Sequence, residues 1–223
     1  QYNGNLTVSR TVAGGTSMFN AGGTVTGNYT FTNNAGGGTG IGNIGVKTSI
    51  GGTVTVTANN TSPAVFEMYR LVNQTTGGSI NVQNTIGFIV QADTLLLNSM
   101  SITGYVTGQY GRLWNNDITG NITIADDAGY AGGYNTSVRN NLITGNSTFS
   151  NNGSNNFLEG DVAATGNVYN GNVTFNAAGG PVYISYLDAL QCSGNLTVSR
   201  TVTGVTSMFN ASGTVAGNFS YSN

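Results

Sequence analysis

Histidine is absent from this chain of 223 residues, cysteine occurs once and proline twice, and only six Lys or Arg and eight Asp or Glu are present. Each shortage excludes something. Without histidine there is no histidine-based catalytic triad and no zinc site of the usual kind. With Cys192 alone, no intrachain disulfide can form, and burial as a small hydrophobe is the expectation for it. The basic residues Arg10, Lys47, Arg70, Arg112, Arg139 and Arg200 are scattered singly. Nucleic-acid binding needs clustered Lys and Arg to displace phosphate counterions, so no nucleic-acid partner is expected. The longest apolar run, around Leu96, is too short to span a bilayer, and no signal peptide is visible. Charged residues make up 6% of the chain, against about 25% in an ordinary soluble domain.

What replaces charge is Gly, Asn, Thr and Ser, with 35 glycines and 38% apolar residues, enough to bury a core. These residues are organised by one motif, Gly-Asn-x-Thr followed by an apolar residue. It opens at Gly4-Asn5 and recurs at Gly27-Asn28, Gly120-Asn121, Gly145-Asn146, Gly171-Asn172, Gly194-Asn195 and Gly217-Asn218. Looser copies stand at Gly52-Thr53, Gly78-Ser79 and Asn98-Ser99. The spacing is roughly 24 residues, within the range that signals a solenoid. Inside the motif the pattern has period two: Leu6 and Val8 face one way, Asn5 and Thr7 the other, as in a strand with one buried face. Ser147 is the exception, a small polar residue in an inward slot.

A shorter segment with a central apolar residue precedes several copies: Thr24-Val25-Thr26, Asp117-Ile118-Thr119 and Leu142-Ile143-Thr144. Upstream of it lies a polar pair after an apolar or aromatic flank, as in Leu113-Trp114-Asn115-Asn116 and Val138-Arg139-Asn140-Asn141. Each repeat thus offers three short strands and three corners, with Gly-Asn bending the chain by its tolerance of positive φ. A lone coil of this kind cannot bury its inward residues, but stacked coils can, in parallel register at about 4.8 Å per coil. Asn and Thr ladders would then satisfy one another along the stack. The expected fold is all-β: one continuous β-solenoid over residues 1–223, about ten coils of roughly 24 residues. Segments such as Asn140-Asn141-Leu142-Ile143-Thr144-Gly145-Asn146 resemble the parallel β-helix repeat of pectate-lyase-like enzymes, phage tailspikes and long bacterial surface adhesins. That resemblance implies a right-handed helix.

A longer period is superimposed. Residues 4–33 align without a gap on 194–223, with 22 identities in 30 positions. The chain therefore carries a superrepeat, residues 4–193, of which a second copy begins at 194. Both ends are bare of capping elements, and the expectation is a window from a tandem array or an end covered by the next molecule.

Chemistry finds little purchase. The acids Asp126-Asp127 and Glu159 with Asp161 are the two pairs that a metal or a glycosidase mechanism could use, and both read more simply as turn and loop acids. The glycine run from Gly36 to Gly42 lacks the Lys and helix of a phosphate loop and reads as a flexible insertion. Trp114 offers a sugar-stacking platform or a packed corner. No catalytic, cofactor or metal site is assigned, and no cofactor is expected. The leading expectation is a non-catalytic extracellular or cell-surface filament, structural or adhesive. Its partner is itself, by head-to-tail or tandem continuation and lateral bundling, with cell-surface or glycan contacts. The alternatives are a carbohydrate-active β-helix or tailspike-like glycan binder, and an ice-binding protein. Coil lengths varying from about 20 to 26 residues count against the regular lattice that the last requires.

Overall fold

The computed structural model describes residues 1–34, 39–41, 47–58, 65–69, 71–72, 78–85, 87–91, 94–105, 111–126, 136–153, 157–159, 166–179, 182–187, 190–208 and 212–223. Among these every strand pairing is parallel and every element is a strand. The strands fall into three stacks, one strand of each contributed per coil. Together they form a β-solenoid.

The motif strands build the first stack. Leu6 lies beside Tyr29, and the column continues through Val54, Ile80, Met100, Ile122, Ser147, Val173 and Leu196 to Phe219. The segments preceding each motif build a second, companion stack. Its inward column includes Val25 beside Ile50, and Leu95, Ile118, Ile143, Tyr169 and Cys192 in succession. These two stacks belong to one 17-stranded sheet bent at the Gly-Asn step. In two coils a single long strand, Thr94–Tyr105 or Asp117–Asp126, runs through both. A separate nine-stranded sheet forms the third stack. It includes Thr39–Ile41, so part of the glycine-rich run expected as an insertion is a strand, in register with Thr16–Met18.

The alternation in the sequence maps directly onto burial. Tyr29, Phe31, Ile80, Val82, Leu196 and Val198 are fully buried, and the residues between them face outward. Like stacks on like where it can: Phe149 lies face to face with Phe175 at 5.1 Å, while Phe88 meets Tyr105 edge-on at 5.2 Å. Burying one such side chain stabilises by about 1.5–3 kcal/mol, against about 1 kcal/mol for a typical hydrogen bond. The apolar columns therefore drive stacking. The polar ladders described below set the register. Ser147 does take an inward slot, between Ile122 and Val173, and its buried hydroxyl has no partner. Cys192 is buried as expected.

The varying coil length is taken up unevenly. Three residues separate Val25 from Tyr29, Ile50 from Val54, Ile143 from Ser147, Tyr169 from Val173, Cys192 from Leu196 and Val215 from Phe219. The connection into the third stack, by contrast, takes three residues between Gln83 and Gly87 and nine between Asp126 and Thr136. The Gly-Asn corner is near-constant except in the coil of Ile80, where seven residues lie between Val72 and Ile80 against four between their partners Ser49 and Val54, and the register of the motif stack carries on through it.

Candidate functional site

Six of the seven motif asparagines accept a hydrogen bond from the following coil through the side-chain carbonyl, and the seventh, Asn218, donates its backbone N–H to the last of them. The side-chain carbonyl of Asn5 accepts the backbone N–H of Asn28 at 2.9 Å, and that of Asn28 accepts the N–H of Thr53 at 2.8 Å. Asn121, Asn146, Asn172 and Asn195 do the same for Asn146, Asn172, Asn195 and Asn218 at 2.8–2.9 Å. The links run from side chain to main chain, not between side chains as expected from the sequence.

The role of the motif glycines also differs from expectation. Only Gly4 and Gly120 among the seven have positive φ, 123° and 87°. What Gly145, Gly171, Gly194 and Gly217 share is proximity. A Cβ at Gly145 would stand 2.0 Å from the carbonyl oxygen of Gly120, and one at Gly171 2.5 Å from that of Gly145. The corner is glycine because the backbone of the previous coil occupies the space a side chain would need.

A second asparagine ladder lies inside the solenoid, at the corner between the third and companion stacks. Asn141 is 2% exposed. Its Oδ1 accepts the backbone N–H of Asn116 at 3.0 Å, and its Nδ2 donates to the carbonyl of Leu113 at 2.8 Å. Asn167 Oδ1 in turn accepts the Asn141 N–H at 3.0 Å. Here each carbonyl accepts from the preceding coil, whereas in the outer ladder it accepts from the following one. The residues before Asn116 and Asn141, Asn115 and Asn140, are the ones that take the left-handed conformation, with φ of 57° and 53°. The sequence signal for this ladder is an Asn two positions before the inward companion residue: Asn116 before Ile118, Asn141 before Ile143, Asn167 before Tyr169.

The outward face of the motif stack is mostly Thr and Ser. One column runs Thr7, Thr30, Thr55, Asn81, Ser101, Thr123, Thr148, Thr174, Thr197, Ser220. The parallel column two residues on runs Ser9, Thr32, Thr57, Gln83, Thr103, Ala125, Ser150, Asn176, Ser199, Ser222. Neither contains a charged or aromatic residue. Among the described residues, the hydroxyls of Thr7, Thr30, Thr55, Thr123, Thr148, Thr174 and Thr197 make no hydrogen bond within the chain. The expected threonine ladder, bonded to itself, is therefore a rank of hydroxyls open to solvent.

The candidate acids are dispersed. Asp126 is 3% exposed, and its Oδ1 accepts the backbone N–H groups of Asn152 and Gly153 on the next coil, the latter at 3.3 Å. It secures a corner. Asp127 and Asp161 lie outside the described residues, as does the side chain of Glu159, whose backbone pairs with Val138. No three His, Cys, Asp or Glu side chains converge among the described residues. Trp114 closes a strand of the third stack, and Asn115 takes the corner beyond it. Its ring is covered by the guanidinium of Arg139 at 3.6 Å and approached by that of Arg112 at 4.5 Å, while its indole N–H donates to Ser137 Oγ at 3.1 Å. The ring is thus engaged by its own neighbours.

Compared with known protein families, curated proteins and solved structures, the chain matches none. Among the described residues no helix is long and apolar enough to cross a membrane.

Proposed function

We propose that this chain is a segment of a stiff extracellular rod, structural or adhesive, whose coils continue in register from one 190-residue superrepeat into the next. The observation that carries the reading is that the superrepeat is structural as well as sequential. Leu6 to Ser9 pair with Tyr29 to Thr32 in the register in which Leu196 to Ser199 pair with Phe219 to Ser222. The companion strand Gly23–Val25 likewise returns as Gly213–Val215.

Mechanical stiffness follows from the chemistry. Three parallel hydrogen-bonded stacks and two asparagine ladders resist both stretching and slippage along the axis. The low charge leaves little repulsion between coils or between neighbouring rods. Small-angle scattering and negative-stain images test the reading. A rod that lengthens by about 40 Å per added superrepeat, at about 4.8 Å per coil, is expected. A particle whose longest dimension does not grow with added superrepeats would refute it. Labelling of intact source cells with antibody to the protein tests the extracellular placement.

A further inference from the structure

The uncharged outer face of the motif stack is unlike the rest of the surface, and nothing in the rod reading uses it. We propose that this face binds ice. Four features carry the proposal. First, the face is a two-dimensional array. Its positions recur at about 4.8 Å from coil to coil and at about 6.7 Å from one column to the other, two residues along the strand, and all bear a hydroxyl except Asn81, Gln83, Ala125 and Asn176. The oxygen rows on prism faces of hexagonal ice repeat at spacings of similar size along both directions.

Second, the pairing register holds at every position of both columns. The register shifts beside Gly78 and between Leu96 and Ser99 fall before the columns, and the one between Thr103 and Tyr105 falls just past the second column, at its edge. Coil-length variation, the objection raised from sequence, is displaced mostly to the corners flanking the third stack. Third, the threonine hydroxyls have no partners within the chain among the described residues, so their hydrogen bonds are available to ordered water. Fourth, threonine is β-branched and stiff at χ1, so the rank loses little side-chain entropy when it meets a lattice, and its methyl groups sit between the hydroxyls. A charged group would hold its own radially oriented hydration shell and disrupt such a match; neither column contains one. The absence of aromatic side chains from the face distinguishes ice from a crystalline polysaccharide, which would be gripped by stacking platforms.

The test uses the purified chain. Thermal hysteresis and inhibition of ice recrystallisation are measured on the wild type, on T148Y at the centre of the face, and on Q191Y, an exposed position of the companion stack. Circular dichroism checks that each variant is folded. Activity in the wild type and in Q191Y, with loss to the buffer baseline in T148Y, is the expected result. Where T148Y does not fold, T148K reads the same position with a charge that solvent can accommodate. A wild type without either activity overturns the proposal. So does a folded T148Y or T148K variant that stays fully active, or a Q191Y variant that loses activity equally. Adsorption to powdered cellulose or chitin without ice activity would assign the face to a polysaccharide and also overturn it. These readouts are independent of rod length, so this proposal and the rod reading can fail separately.

Discussion

Replacing Gly145 by alanine tests why the motif contains glycine. The added Cβ would lie 2.0 Å from the oxygen of Gly120, 2.2 Å from its carbonyl carbon and 2.6 Å from the nitrogen of Asn121, all backbone atoms. Ordinary contact lies near 3.5 Å, so the two coils must separate locally by roughly 1.5 Å. Overpacking of this kind costs about 1–3 kcal/mol. The separation also strains two bonds across the same corner: Asn146 N–H to Asn121 Oδ1 at 2.9 Å and Ile122 N–H to the Asn146 carbonyl at 2.8 Å. At about 1 kcal/mol each, the expected loss is about 3–5 kcal/mol. Urea unfolding followed by fluorescence of Trp114, the single tryptophan, reads it. Gly145→Asn separates the two explanations. If φ were the constraint, asparagine would be tolerated far better than alanine; if proximity is, both are equally destabilising. Gly4→Ala is the control, since its Cβ would meet nothing within 4 Å and only the φ of 123° resists it. A Gly145→Ala loss below about 1 kcal/mol would refute the close-approach argument.

The remaining predictions concern buried polar groups. Ser147→Val is expected to stabilise by about 1–2 kcal/mol, because it removes a partnerless buried hydroxyl and extends the column between Ile122 and Val173; a lower unfolding midpoint would count against that. Tyr29→Phe should also stabilise, by about 1 kcal/mol, since the Tyr29 hydroxyl is buried without a partner and the superrepeat itself places Phe219 there. Burial pushes the Tyr29 phenol and the Cys192 thiol above their ordinary pKa values, the thiol partly opposed by a hydrogen bond with Gly194. Both groups therefore stay neutral in the folded chain where the unfolded chain would ionise. Their contribution to stability is fully present below about pH 8 and is lost as pH rises, first for Cys192 and, above about pH 10, for Tyr29. Urea midpoints that rise with pH over that window would contradict it, and Tyr29→Phe should remove the upper part. Asn141→Ala should cost about 3–5 kcal/mol, because it removes an amide whose several buried partners are left unpaired, whereas Asn146→Ala, at an exposed position, removes only the acceptor for the Asn172 N–H and should cost about 1 kcal/mol; equal losses would mean that burial does not separate the two ladders.

The fold was legible wherever a residue's role depends on its own strand. Leu6 against Thr7, or Ile118 between Asp117 and Thr119, announces which face is inward by alternation alone. The return of residues 4–33 at 194–223 announced the longer period. What depends on the neighbouring coil was hidden. Gly145 looks like a turn glycine until the carbonyl of Gly120, 25 residues earlier, is placed against it. Gly166-Asn167-Val168-Tyr169 looks like another copy of the motif, yet Val168–Tyr169 belongs to the companion stack and Asn167 to the inner ladder. Asp126 read as half of an acidic pair, while its carboxylate is turned to the amides of Asn152 and Gly153. The outward Asn and Thr ladders were legible, but not how regular they are. That regularity is a property of register, and the uneven spacing of the repeats counted against it until most of the extra residues were located at the other corners.

Insertions and deletions in this chain therefore have a side. A coil can gain or lose residues between the motif strand and the third stack, as the connections after Gln83 and after Asp126 already do, while the Gly-Asn bend holds the next motif strand in step. Most of the freedom to diversify in length falls on one flank of the molecule; on the other, even where three residues are added between Val72 and Ile80, the motif strands stay in step.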